Sequence, residues 1–226
     1  MADYNPMELM ICVAARLLEN GSTVGVGTGA PCAAAMLAQK TNAPDLLVLF
    51  EAGGIAPLLP AMPISVGDSR TFHRGLMATS MNDVLEACQR GMVDYTFLGG
   101  AQIDAFGNLN STVIGDYRKP KVRFPGSGGA NDFASFCWRM LVMTAQDRRR
   151  FVEKLDFLTT PGYLTGPGAR EAAGLEHDEE VRRMGLLGEH GGGAGGAGPH
   201  AESRAIFKQP GRHADHQLHR VVVGHG

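Results

Sequence analysis

The run LLVLF, residues 46–50, has no polar position that could face water. A strand built that way persists only in a sheet covered on both faces, the usual setting of parallel strands joined by helices. Its neighbours in the chain repeat the theme. STVGVG before it and VDYTFLGG after it read as further short strands, while APCAAAMLAQK and SMNDVLEACQRG between them read as helices. The second helix carries a cap pattern, Ser80 with Asp83, and a stop at Gly91. Residues 5–20 read as a leading helix: Asn5 caps, Pro6 suits the first helical position and Glu8 lies three after the cap. Leu9, Val13, Leu17 and Leu18 share one face of it, and Asn20-Gly21 ends it. Strand, loop and helix in alternation predict an α/β fold, a layered open mostly parallel sheet with helices on both faces.

After Gly100 the alternation loosens. QIDAFGNLNST predicts a hairpin turning at Phe106-Gly107-Asn108. RKPKVRFPGSGGAND reads as a loop, leading into an apolar helix-like run, FASFCWRMLVMTA. VEKLDFLTTPGYLTGPGAR reads as a strand followed by a Pro/Gly-rich loop. Beyond Leu175 the composition changes: seven of the eight histidines lie at or after His177, and apolar periodicity disappears. The chain thus divides into a patterned domain over 1–175 and a Gly/His-rich tail over 176–226, read as disordered or foreign to the fold. His213, His216 and His219 are spaced along one helical face, but no acidic or cysteine cluster reinforces them, and no metal site is assigned.

Charge and cysteine usage narrow the function. Over 226 residues the formal net charge is −2, which lacks the basic surplus of a nucleic-acid binder. No run approaches the roughly 18 apolar residues of a membrane span, and the first residues lack a basic n-region. Cys12, Cys32, Cys88 and Cys137 are widely spaced, as buried free thiols in a reducing compartment would be. A cytoplasmic protein is the expectation. A helix dipole could lower the pKa of Cys32, but no partner motif accompanies it, so it is read as structural. His73 is read as a surface or satisfied histidine.

Three glycine-rich loops follow strand-like segments. GVGTGAP has G-x-G-x-G spacing rather than the dinucleotide fingerprint, yet a strand-to-helix loop of this kind suits an anion or a carbonyl oxygen. PGSGGAND could expose successive N–H groups as an oxyanion hole or phosphate cradle, or be a plain connection. The basic residues just before it, RKPKVR, could steer a phosphorylated ligand, though a solvated loop is the simpler reading. In FEAGG, Glu51 ends the LLVLF strand where open α/β sheets bind ligands. By position alone it is equally a nucleophile or base and a salt-bridging strand terminus.

In their order and spacing, VGVGTGAP, APDLLVLFEAGG, SVGDSR, GGAQIDAFGNLNSTVIGDYRKPKVRFPGSGGAND and TTPGYLTGPGARE together resemble the β subunits of heteromeric class I CoA-transferases, glutaconate CoA-transferase among them. The resemblance runs from about residue 4 to about residue 175. It implies that Glu51, with Ala52 where the family has Ser or Asn, is the catalytic carboxylate. Relatives with another residue at the glutamate position are decarboxylases, and others rearrange the site into ring-opening hydrolases, so Glu51 favours transfer. Gly128, Gly129, Ala130 and Asn131 would supply oxyanion and CoA contacts, with Gly27, Thr28, Gly29 and Gly53 as secondary contributors. The resemblance also implies CoA and acyl-CoA as substrates, no tightly bound cofactor or metal, and an α-subunit partner in an α2β2 or larger assembly. A CoA-ester hydrolase or decarboxylase subunit is the alternative on this fold; a non-catalytic ligand-binding module is the other class. The family continues past residue 175 with further strands, where this tail reads as truncated, frameshifted or artificial.

Overall fold

The computed structural model describes residues 4–145, 147–175, 204–206 and 220–224. Helix α1, Pro6–Arg16, starts at a capping box in which Asn5 Oδ1 accepts the Glu8 N–H at 2.9 Å and Glu8 Oε2 accepts the Asn5 N–H at 2.8 Å. It stops before Asn20-Gly21, because the Leu17 and Leu18 N–H groups turn to the carbonyls three residues back, and Asn42 Nδ2 donates to the Ala15 and Leu18 carbonyls. Strand β1, Thr23–Gly25, leads into α2, Ala30–Lys40. Ala34, Ala35 and Ala38 of α2 are fully buried with Ala14 and Ala15 of α1, so the small side chains let the two helices lie close.

Strand β2, Leu47–Leu49, is followed by the short β3, Gly54–Ile55, and β4, Met77–Ala78. A 3₁₀ turn, Ser69–Phe72, interrupts the link between β3 and β4. Helix α3, Met81–Gln89, carries the predicted Ser80/Asp83 capping box, and β5, Tyr95–Leu98, follows. The predicted hairpin forms as β6, Gln102–Ile103, and β7, Leu109–Asn110, with Gly107 at φ 73° in its turn.

Next the structure departs from the expectation. Strand β8, Val113–Gly115, pairs antiparallel with β9, Pro120–Arg123, so the basic residues lie on a hairpin rather than in a loop. The helix-like run divides in two: α4, Ala130–Phe136, ends at Cys137, and β10, Arg139–Ala145, begins two residues later. Met140 to Met143 are all buried, and a continuously buried apolar stretch has no period that distinguishes strand from helix. No strand forms in 152–158. The Thr159 and Thr160 N–H groups both go to the Leu109 carbonyl, which breaks a regular ladder, and the segment ends in the single-turn α5, Ala169–Ala172. Two strands, β11 (Arg204–Ile206) and β12 (Arg220–Gly224), are described within 176–226; the predicted His213, His216 and His219 face lies outside the described residues.

The main sheet has the order β11-β12-β10-β5-β1-β2-β3-β4. Its middle five strands, β12 to β2, are parallel, and antiparallel strands flank them. Helices α1 and α2 bury Val24, Val48, Phe50 and Phe97 on one face; α3 and α4 bury Leu49, Val93 and Cys137 on the other. This is the predicted covered, mostly parallel sheet. From β1 the chain moves outward to β2 through α2, then returns to β1's other side with β5. That reversal opens a crevice at the carboxyl ends of the central strands.

Candidate active site

Strand β2 delivers Glu51 to this edge through a tight hairpin. The Phe50 N–H donates to the Gly54 carbonyl and the Gly53 N–H to the Phe50 carbonyl, both at 2.9 Å, leaving Glu51 and Ala52 at the tip. The two glycines are demanded by their surroundings. Gly53 sits at φ 108°, and a Cβ there would lie 1.9 Å from the Thr79 carbonyl oxygen. A Cβ on Gly54 would lie 1.9 Å from the Thr71 carbonyl oxygen. Gly53 therefore shapes the turn, and its N–H is already committed.

Glu51 is half-buried and, among the described residues, makes no ion pair. Its Oε1 accepts the Gly129 N–H at 3.1 Å, 78 residues away in the chain. The contact is close enough that a Cβ on Gly129 would meet Oε1 at 2.7 Å and Cδ at 2.9 Å. Gly129 precedes α4, whose first-turn N–H groups favour a negative charge.

Other predicted residues divide by whether their N–H groups are free. The Ala130 N–H goes to the Ser127 carbonyl and the Asn131 N–H to Ser127 Oγ, so both are spent on holding the loop. Gly128, at φ 51°, is exposed, and its N–H meets no acceptor among the described residues. The loop after β1 begins beside β2: Gly25 is opposite Leu49, and the Val26 N–H donates to the Leu49 carbonyl. The N–H groups of Gly27, Thr28 and Gly29 likewise meet no acceptor among the described residues. The carboxylate and two glycine loops with uncommitted donors thus lie at one sheet edge.

Sequence reasoning missed the braces. Ser111 Oγ donates to the Gly126 carbonyl at 3.0 Å, the Gly126 N–H returns to the Ser111 carbonyl, and Thr159 Oγ1 accepts the Ser111 N–H. These bonds fix the approach to Gly129, and their only trace in sequence is a Ser-Thr pair after the hairpin. Phe133 of α4 packs so tightly on Gly25 that a Cβ there would lie 2.5 Å from the ring. Arg170 is buried and donates to the Gly162, Ser135 and Leu175 carbonyls, tying the end of the described domain to α4. Burial pushes the Cys32 thiol up to about 11, which supports the structural reading over a reactive thiolate. Among the described residues no group of three His, Cys, Asp or Glu gathers to hold a metal, and no helix is long and apolar enough to cross a membrane.

The family model for coenzyme A transferase matches residues 8–183. Over 176 residues the chain is 41% identical to the β subunit of 3-oxoadipate CoA-transferase from Pseudomonas knackmussii, spanning 77% of this chain and 68% of the relative. It is 40% identical over 189 residues to the β subunit of glutaconate CoA-transferase from Acidaminococcus fermentans, spanning 79% and 70%. The crystal structure of the Acidaminococcus fermentans glutaconate coenzyme A-transferase superposes with a TM-score of 0.72 at 37% identity, over 76% of this chain and 68% of that one. A decarboxylase, AibA/AibB, superposes at 0.65 with 31% identity, over 71% and 68%. By sequence and by fold, the chain belongs to the coenzyme A transferase family, as a β subunit of the class I enzymes.

Proposed function

We propose that this subunit moves CoA between an acyl-CoA and a carboxylic acid, a glutaconate-like dicarboxylic acid, through a covalent glutamyl-CoA thioester on Glu51. The observation that carries the reading is the unpaired Glu51 carboxylate at the carboxyl edge of the sheet, held by the Gly129 N–H. A carboxylate is already the nucleophilic form at neutral pH and needs no base. Glu51 attacks the thioester carbonyl and expels CoA thiolate, forming a mixed anhydride. The thiolate then attacks the glutamyl carbonyl, expelling the donor carboxylate and leaving the glutamyl-CoA thioester. The acceptor carboxylate attacks that thioester, CoA thiolate departs again, and its attack on the acceptor carbonyl yields the new acyl-CoA and free Glu51. Thioester is exchanged for thioester, so the cycle calls for no ATP, metal or bound cofactor.

Each addition develops an oxyanion, and one well-aimed backbone donor is worth about 10²–10³ in rate. The uncommitted N–H groups of Gly27, Thr28, Gly29 and Gly128 are the donors for it. Both of the relatives are β subunits, which supports an α-type partner here, activity only with that partner, and an α2β2 or larger assembly. The widely spaced free cysteines are consistent with a cytoplasmic location.

The 31% identity to AibA/AibB favours a second reading, a decarboxylase subunit. The test is to co-express the chain with its α-type partner and incubate the complex with acyl-CoA and a different carboxylic acid. Transfer predicts a new acyl-CoA with total thioester conserved. Release of carbon dioxide, or of free thiol without a new thioester, would replace this reading with the decarboxylase or hydrolase.

A further inference from the structure

A strongly charged surface lies on the β8–β9 hairpin. Between residues 116 and 123 stand four cations, Arg118, Lys119, Lys121 and Arg123, and one carboxylate, Asp116. All five are exposed, and none of the four cations is in an ion pair among the described residues. Asp116 is turned to the backbone, where its Oδ1 accepts the Arg118 and Lys119 N–H groups at 2.8 and 3.1 Å. Asp156, the acidic residue packed at the base, is also committed, accepting the Gly115 N–H and the Gln102 side chain. In a chain of net charge −2, this leaves a concentrated positive tip.

The hairpin is braced as a solvated loop need not be. Tyr117 stacks on Phe157 with ring centroids 5.3 Å apart, and the Arg123 guanidinium lies 4.8 Å from the centroid of the Tyr117 ring while donating to the Tyr117 carbonyl. The Lys121 stem runs over Gly115, whose φ of 87° and missing Cβ make room for it. Arg123 is thus absorbed in the structure, while Arg118, Lys119 and Lys121 stand exposed without ion-pair partners among the described residues. The hairpin also leads directly to the reacting carboxylate. Five residues lie between Arg123 and Gly129, a reach of at most about 22 Å even if fully extended. The Phe124 and Gly126 N–H groups are pinned to the Thr112 and Ser111 carbonyls on the way.

We propose that Arg118, Lys119 and Lys121 bind the phosphate groups at the nucleotide end of coenzyme A, whose thiol reacts at Glu51. The inference rests on the reading above that the site handles CoA thioesters. The chemistry fits in both charge and shape. CoA carries its pyrophosphate and ribose phosphate at the far end of an uncharged pantetheine arm, so a cationic patch removed from the nucleophile meets the anionic end when the thiol meets Glu51. Binding energy gained there holds the thioester in register at the carboxylate.

The experiment compares CoA with pantetheine, which has the thiol and no phosphate, by calorimetry on the complete heteromer. The wild-type complex is expected to bind CoA more tightly than pantetheine, with salt weakening only CoA. The Lys119→Ala/Lys121→Ala double variant should lose about tenfold in CoA affinity, while pantetheine affinity stays as in wild type. In the unsubstituted complex, CoA but not pantetheine should shield Lys119 and Lys121 from acetylation, read by peptide mass. Equal CoA affinity in the double variant, no shielding, or variants that lose assembly with no shielding in wild type would overturn the inference. A wild-type complex that binds neither CoA nor pantetheine would instead defeat the underlying CoA-transferase reading.

Discussion

Glu51 Oε1 and the Gly129 N–H meet across 78 residues, and the absence of a Cβ at Gly129 is what permits it. Gly129 has φ −76°, a value any residue adopts, so its need for glycine comes from the carboxylate alone. Gly129→Ala should fold with stability changed by less than about 1 kcal/mol, yet lose about 10²-fold in kcat because the carboxylate must move. Thermal unfolding beside steady-state assays checks both halves. A second residue-level prediction concerns acid. The Asp68 carboxyl is pulled from its ordinary 3.8 to about 2, first by the Arg70 side chain and then by the Arg70 and Ile64 N–H groups. A depressed carboxyl contributes stability that is complete above its ordinary value and lost as pH falls through about 2. The gap in urea stability between wild type and Asp68→Asn should therefore be full at about pH 5 and close between about pH 4 and 2. At this scale the sequence shows where Glu51 emerges but not what it touches, because a contact over 78 residues leaves no local pattern. Likewise, no rule of spacing separates Gly53, whose N–H is used inside its turn, from Gly128, whose N–H meets no acceptor among the described residues.

The elements written in local chemistry are the ones the sequence displays. The capping boxes at Asn5/Glu8 and Ser80/Asp83, and the Gly107 turn, form where their residues predict. Ser80→Ala removes the hydroxyl that accepts the Asp83 N–H and should cost about 1 kcal/mol, measured by chemical denaturation. Gly53→Ala is the harsher test of the hairpin that carries Glu51. With φ 108° and the Thr79 carbonyl in the way, it should cost about 3 kcal/mol and activity together, in contrast to Gly129→Ala. Elements set by their partners are harder to read. Strand β9 is made largely of charged residues and a proline, and it is a strand because β8 pairs with it. Strand β10 continues an apolar run from α4, and only its place between β5 and β12 makes it extended.

At the scale of the molecule, five parallel strands with helices on both faces create one edge where β1, β2 and the approach to α4 converge. The unbroken apolar strands and small-residue helices foretell that layering, and the topology places the Glu51 hairpin at its carboxyl edge. The central claim is that Glu51 carries CoA covalently during turnover. The direct measurement is to treat the complex with acyl-CoA in the absence of acceptor, reduce with borohydride and map the modified peptide by mass. The account predicts conversion of the Glu51 side chain to the primary alcohol, dependent on acyl-CoA and diminished when excess acceptor acid is present. An active complex whose Glu51 stays unmodified, or a Glu51→Ala complex that still transfers CoA, would contradict it.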